Sequence, residues 1–335
     1  MSESRPNRQQ ILEMMNGFRP ACVIGAAAEL DLWTALGGQS LSAEQVATKL
    51  HTDLRATTIL LDTVAALGLL EKRDTRYSVP PDLRGWLVEN SPETILPMLR
   101  HAMTILRSWS QLAWVAKSGI PAPRIPSIRG PEADRASFIA AMHVVSGPMG
   151  DELVRKLGPP KFRRLLDVGG ASGTWTLAFL RAVPNATATI FDLPDAIEQA
   201  RQRLAGSEFA NRVTLVAGDF YVDDLPAGAD FAWVSAICHQ HSRRHNRELF
   251  AKVFRALTPG GRIALRDVVM DPDRTAPREG ALFAVNMLVN TDSGGTFTFD
   301  EYAEDLRSVG FENPQLQVKH EAMNSVVVAE KPEGE

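Results

Sequence analysis

Cysteine is scarce: the 335-residue chain holds two, Cys22 and Cys238. That excludes a disulfide framework and points to a reducing, cytoplasmic setting. Long apolar runs are also missing. Stretches such as "ILLDTVAALGLL" are interrupted or too short to span a bilayer, so no membrane partner is expected. The opening "MSESRPNRQQ" has no basic-then-apolar secretory pattern. Net positive charge is absent as well. A formal charge of −4 gives no global pull toward a phosphate backbone and argues against nucleic acid as the main partner. What is present is ordinary for a globular chain: 44% hydrophobic and 23% charged residues, in a length that calls for two cores.

Residues 8–36 repeat apolar side chains at helical spacing (Ile11, Met14, Met15, Phe18, then Val23, Ile24, Ala27, Ala28, Leu32) and predict one or two helices. Ser42 and Gln45 in "LSAEQVATKL" make a capping-box pattern, "RATTILLDTVAALGLL" reads as a second helix closed by Gly68, and "LLEKRDTRYSV" as a short hairpin. Helix, helix and hairpin form a winged-helix unit, whose second helix would read DNA in a regulator. Here cationic side chains stand only at its ends (Arg55, Lys72, Arg73), which favours packing over phosphate contact. Residues 95–118 predict another amphipathic helix of core or subunit-interface type, and "GIPAPRIPSIRGPE" a linker.

The second half alternates strand and helix: "RRLLDVGG", "TWTLAFLRAV", "ATATIFDLP", "AIEQARQRLA", "RVTLVAGDF", "DFAWVSAI", "HNRELFAKVFRAL" and "RIALRDVVM". This means βαβ units, a parallel sheet covered on both faces, and a ligand crevice at the carboxyl ends of the strands. The tail, "QLQVKHEA" and "NSVVVAEK", adds a hairpin that a plain dinucleotide-binding fold lacks. Gly169, Gly170 and Gly173 allow a tight strand-to-helix turn and close ligand approach, but Ala171 takes the second fingerprint glycine's place, which weakens a pyrophosphate-cradling reading. Asp192 lies about 20 residues on, where an acid accepts ribose hydroxyls. "LVAGDFY" ends the third strand in Asp219 and Phe220, an acceptor for an adenine amino group beside an apolar face for its ring. These features, at three successive strand ends, point to an adenosyl ligand.

Together they resemble the S-adenosylmethionine-dependent small-molecule O-methyltransferases, of the plant caffeic acid type and its bacterial natural-product relatives. "LLDVGGASG", "FDLP", "GDFY", "LTPGGRIALRD" and "RSVGF" follow that family in order, over nearly the whole chain. The resemblance implies an α/β, Rossmann-like methyltransferase domain with a C-terminal antiparallel hairpin at 151–335. It also implies a mainly helical winged-helix dimerisation domain at 1–118, with a linker and connecting helix at 119–150. It further implies S-adenosyl-L-methionine as cofactor, S-adenosyl-L-homocysteine as product, a small-molecule acceptor, and a homodimer whose partner chain closes the pocket. By resemblance the cofactor would touch Gly169, Gly170, Gly173, Asp192, Leu193, Gly218, Asp219 and Phe220. Ser235 would join them, standing where the family often places a lysine. "FIAAMHVVS" resembles the helix whose Met142 and Ser146 flank cofactor and substrate. Phe283, Asn286, Met287 and Asn290 would line the acceptor pocket, whose apolar walls and amides suit a flat aromatic or polyketide-like molecule.

Residues 238–245, "CHQHSRRH", concentrate the remaining chemistry. The family writes this stretch roughly I-C/L-H-D-W-S-D-E around its catalytic histidine, which gives His239 the base position. An imidazole, with a reference pKa of about 6.5, can take a hydroxyl proton near neutral pH as the oxygen attacks a sulfonium methyl. Asp267 falls where the family places one acidic partner. The second acid, expected near "SGGTFTF", is replaced by Thr296, Phe297 and Thr298, while Gln240, His241 and Arg243 replace the usual Asp, Trp and Asp. A metal reading would join His239 and His241 with Cys238 or His245. The cluster contains no carboxylate and no second ligand cluster accompanies it, so no metal is expected. Two alternatives stay open: C- or N-methylation or non-methylating chemistry with the same cofactor, and a winged-helix ligand-responsive regulator.

Overall fold

The computed structural model describes residues 5–146 (backbone only at 143–146), 149–158, 161–170, 173–320 and 322–334. Contacts divide the chain into two units: residues up to Arg107 with Arg124–Val144, and Ser108–Pro123 with the chain from Val145 onward. In the first unit the Ser42 hydroxyl accepts from the Gln45 N–H, and the Gln45 side chain closes back on the Ser42 N–H. That box starts helix Ala43–Leu50, and the second helix, Leu54–Ala66, is capped by the Asp53 carboxylate. Strands β1 (Leu41–Ser42), β2 (Glu71–Arg73) and β3 (Arg76–Ser78) pair antiparallel in the order β1-β3-β2. Trp33, Leu36, Val46, Leu61, Val64 and Tyr77 fill the core beneath them.

Two helix expectations need correction. Residues 8–36 form three helices, Arg8–Asn16, Phe18–Glu29 and Leu32–Leu36, broken at Gly17 and at the left-handed Asp31 (φ 58°). The first buries no residue, and Met14, Met15 and Phe18 stand at least half exposed. Residues 95–118 are likewise two helices, Leu96–Trp109 and Leu112–Ser118. A turn closed by Gln111 N–H to the Ser108 carbonyl separates them, beside the point where the chain passes from one unit to the other.

The second unit is built on β4 (Arg164–Val168), β5 (Thr187–Asp192), β6 (Val213–Ala217), β7 (Ala229–Ser235), β8 (Leu257–Asp267), β9 (Val269–Met270), β10 (Phe297–Thr298), β11 (Glu312–Val318) and β12 (Ser325–Glu330). Seven of these form one sheet in the order β11-β12-β8-β7-β4-β5-β6. β4 to β8 run parallel; β12 and β11 add the antiparallel hairpin. Helices cover both faces, so inward strand positions alternate between two cores. Leu166, Val168, Val234 and Leu265 meet helix Arg243–Ala256, while Leu165, Phe231, Trp233 and Ala264 meet helix Thr174–Ala182. The chain moves outward from β4 through β5 to β6 and then returns to place β7 on β4's other side. This makes a topological switch point at the strands' carboxyl ends.

Candidate active site

The carboxyl ends of β4, β5, β6, β7 and β8 carry the candidate residues. After β4, Gly169 turns with φ 66°, where its N–H reaches the Phe191 carbonyl at 2.8 Å. A Cβ at Gly169 would lie 2.5 Å from Ile237 Cδ1, and one at Gly170 2.8 Å from Asp167 Cγ, so the turn tolerates no side chain at either place. Gly173, also left-handed at φ 76°, opens helix Thr174–Ala182. Asp167, beneath this turn, is fully buried and accepts from the Thr176 hydroxyl at 2.6 Å. Burial, reinforced by the nearby Asp192, pushes its carboxyl up to about 7, against the pull of the Thr176 bond.

At the end of β5, Asp192 Oδ1 accepts the Leu193 N–H at 2.7 Å, and the Asp192 carbonyl accepts the Gly218 N–H at 2.9 Å. That bond ties the β5 and β6 ends together. Leu193 is 53% exposed, an apolar face beside the carboxylate. Past β6, Asp219 Oδ1 accepts the Tyr221 N–H at 2.9 Å. Phe220 packs 5.1 Å from the Tyr221 ring and 5.7 Å, edge-on, from His241. His241 shares a short hydrogen bond with the Tyr221 hydroxyl. Burial, then the neighbouring His239 and His245, lower its imidazole to about 4 and keep it neutral. Two carboxylates, the apolar Leu193 and Phe220, and glycines that permit close backbone approach suit an adenosyl group.

Ser235 ends β7 bonded to a residue the sequence reading passed over. Arg266 Nη1 donates to Ser235 Oγ at 3.0 Å and Arg266 Nε to Asn324 Oδ1 at 2.8 Å, with the guanidinium 4.5 Å from the Trp175 ring centre. Burial lowers this cation to about 10, which the adjacent Asp267 opposes. An arginine inside the apolar run "RIALRDVV" was the available signal.

His239 is held on three sides. β7 and β8 pair Ser235 with Arg266, and from there a left-handed Ala236 (φ 59°) leads into the short turn Cys238–Gln240. His239 Nδ1 meets Asp267 Oδ1 at 2.8 Å, the His239 N–H donates to Asp267 Oδ2 at 3.1 Å, and the His239 carbonyl accepts the Gly295 N–H at 2.8 Å. Phe283 stands edge-on, 4.8 Å from the imidazole. A carboxylate only accepts, so Nδ1 carries a proton toward Asp267, and in the neutral imidazole Nε2 presents the lone pair. The pair is buried, which shields it from competing water.

The residues that depart from the family pattern are occupied elsewhere. Arg243 binds Asp305 and Glu304 at 2.8 and 2.6 Å. The Gln240 amide reaches the Ala236 carbonyl at 3.0 Å. Where the second acid was expected, the Thr296 carbonyl accepts from Arg274, Phe297 packs on Tyr302, and Thr298 caps helix Phe299–Ser308. Among the described residues Asp267 is the one carboxylate bonded to His239, and no three His, Cys, Asp or Glu side chains converge as metal ligands. His245 lies in the first turn of helix Arg243–Ala256, its N–H on the Ser242 hydroxyl.

Of the acceptor-pocket candidates on helix Arg278–Asn290, Phe283 meets His239 and Met287 is buried. Asn286 and Asn290 bond each other, and Asn286 also bonds Trp109, a partner 177 residues away that periodicity could not show. Met142 is half-buried on helix Pro131–Ser146, in the first unit; the side chain of Ser146 lies outside the described residues.

A family model of the O-methyltransferase domain matches residues 102–312, and one of the O-methyltransferase dimerisation domain matches residues 12–81. The tetracenomycin polyketide synthesis 8-O-methyl transferase TcmO of Streptomyces glaucescens is 31% identical over 90% of this chain and 90% of its own. Among solved structures, PigF with S-adenosylhomocysteine superposes with a TM-score of 0.86 at 26% identity, over 97% of this chain and 100% of that one. Human N-acetylserotonin methyltransferase in complex with S-adenosylmethionine gives 0.81 at 26%, over 99% and 100%. No described helix is long and apolar enough to cross a membrane.

Proposed function

Because this chain belongs to the S-adenosylmethionine-dependent O-methyltransferases, we propose that it methylates a hydroxyl of a small aromatic or polyketide-like acceptor, with His239 as general base and Asp267 as its orienter. The cofactor, when bound, supplies a methyl group on a sulfonium, open to in-line displacement by oxygen. Asp192 would hold the ribose hydroxyls and Asp219 the adenine amino group, with Leu193 and Phe220 flanking the ring. The Gly169–Gly170 turn would pass under the amino-acid end. His239 Nε2 takes the acceptor's proton as the new O–C bond forms and the C–S bond breaks, giving a methyl ether and S-adenosylhomocysteine. Asp267, across the 2.8 Å bond to Nδ1, stabilises the imidazolium so created.

The observation that carries this reading is that bond: it turns Nε2 into the acceptor, on a ring that packs edge-on with Phe283, on the helix expected to line the acceptor pocket. Methyl-labelled cofactor supplies the test. His239→Ala should bind S-adenosylhomocysteine as the parent does while transferring label to a phenolic acceptor at least about 10²-fold more slowly. Unchanged turnover would remove His239 from the mechanism. Label recovered on nitrogen or carbon would replace O-methylation.

The same reading extends to assembly as a homodimer. Ile11, Met14, Met15 and Phe18 form an exposed apolar row on the first two helices, all but Ile11 within residues 12–81, which the dimerisation domain matches. A row of this size is what a second copy would bury.

A further inference from the structure

Trp109, Asn286 and Asn290 form a hydrogen-bond ladder whose polarity is fixed by its first rung. An indole N–H only donates. The atom it meets at 3.0 Å must therefore be the Asn286 carbonyl oxygen, and the Asn286 amide has one orientation. That oxygen also takes an N–H from Asn290 Nδ2 at 3.0 Å, and Asn290 Nδ2 gives a second bond to the Asn286 backbone carbonyl at 2.9 Å. Both hydrogens of the Asn290 amide are thereby used. What remains is a donor, Asn286 Nδ2, and one turn further on an acceptor, Asn290 Oδ1. Neither has a hydrogen-bond partner among the described residues, and both side chains are part exposed.

Phe283, which touches the His239 imidazole, stands on the same helix. At 1.5 Å per residue the two amides lie about 5 and about 10 Å along the axis from it, the span of a fused two-ring system. Resting on the reading that the reacting hydroxyl lies at His239, we propose that this ladder selects acceptors carrying a neutral carbonyl with an adjoining N–H or O–H on the ring edge remote from that hydroxyl. The carbonyl meets Asn286 Nδ2 and the N–H or O–H meets Asn290 Oδ1. A carboxylate satisfies the first contact and sets its second oxygen against the Asn290 carbonyl, so it is disfavoured. Trp109 is a positioning residue: without its N–H the Asn286 amide can turn over, and the ordered donor and acceptor are lost.

The test uses the full-length chain loaded with S-adenosylhomocysteine and three probes: 2-naphthol, 6-hydroxy-2-naphthamide and 6-hydroxy-2-naphthoate. Calorimetric Kd values should favour the amide over both others by about tenfold or more, and KM with S-adenosylmethionine should follow the same order. Trp109→Phe and Asn286→Leu should each bring the amide-to-naphthol ratio to within about twofold, with the loss in Kd and KM for the amide. An impaired fold alone would weaken all three probes together and leave the ratio standing. Equal affinities in the parent chain, including no binding of any probe, overturn the proposal, as does a preference that survives both substitutions. His239→Ala separates the two readings: it should slow transfer by at least about 10²-fold and keep the Kd ratio. Transfer that persists undiminished in that variant, with the ratio intact, refutes the base and leaves the ladder standing.

Discussion

Asp267→Asn is the sharpest perturbation of the catalytic pair, because the carboxylate accepts three hydrogen bonds and an amide oxygen cannot replace both of its atoms. Oδ1 accepts from His239 Nδ1 at 2.8 Å and from the Val268 N–H at 2.8 Å, while Oδ2 accepts the His239 N–H at 3.1 Å. With the amide oxygen at the Oδ1 position, the new NH2 faces the His239 N–H, donor against donor. With the oxygen at the Oδ2 position, the NH2 faces the Val268 N–H and donates to Nδ1, moving the imidazole proton to Nε2 and removing the lone pair that would take the acceptor's proton. Asp267 is 1% exposed, so no water relieves either arrangement. A buried donor left unpaired costs about 1–3 kcal/mol, and the Tm should fall by about 2–4 °C for each kcal/mol lost. Turnover should fall further, by about 10²–10⁴-fold, the usual contribution of a positioned base. The assay is transfer of labelled methyl to a naphthol or other phenol that the parent accepts, with calorimetric cofactor affinity measured alongside. His239→Ala and the double variant should be nearly equal in rate, since the two residues act as one unit. Turnover within about threefold of the parent, or losses that simply add, would refute the reasoning.

Gly294→Ala should slow transfer by about 10-fold to 10²-fold without changing S-adenosylhomocysteine affinity, because the new Cβ would lie 2.5 Å from the His239 carbonyl oxygen and displace the base; undiminished kcat would contradict the clamp. Asp167 titrates at about 7 in the folded chain against 3.8 for an unperturbed carboxyl. Its contribution to stability is therefore full below the lower value and lost as pH rises through the upper. Asp167→Asn lacks that loss, so the Tm of the variant minus that of the parent should grow between about pH 4 and about pH 7, and a flat difference would refute the shift. Met15→Glu combined with Phe18→Glu, at positions 73% and 50% exposed, should convert a dimer to a monomer by light scattering with cofactor affinity retained; a mass unaffected by both charges would place the interface elsewhere.

What could be read from the sequence follows how locally each feature is enforced. The strand-to-helix turn at Gly169, the capping box at Ser42 and the acids at the β5 and β6 ends depend on backbone geometry within a few residues, so their spelling survives in one dimension. His239 and Asp267 stand 28 residues apart and meet only because β7 and β8 align Ser235 with Arg266; a family resemblance, not spacing, made that pair legible. Arg266 was legible as a charge in an apolar strand and was passed over. The break between Trp109 and Leu112 was hidden because apolar periodicity runs on through the turn, and the Trp109–Asn286 bond joins residues with no local signal at all. The departures around "CHQHSRRH" then take on a definite meaning. Arg243 has turned to Asp305 and Glu304, and Thr298 has become a helix cap. His241 has become the partner of Tyr221, and the "SGG" loop holds the His239 backbone where an acid would have held its ring. Among the described residues none of these side chains hydrogen-bonds the His239 imidazole, which leaves Asp267 as the carboxylate in place to fix its tautomer.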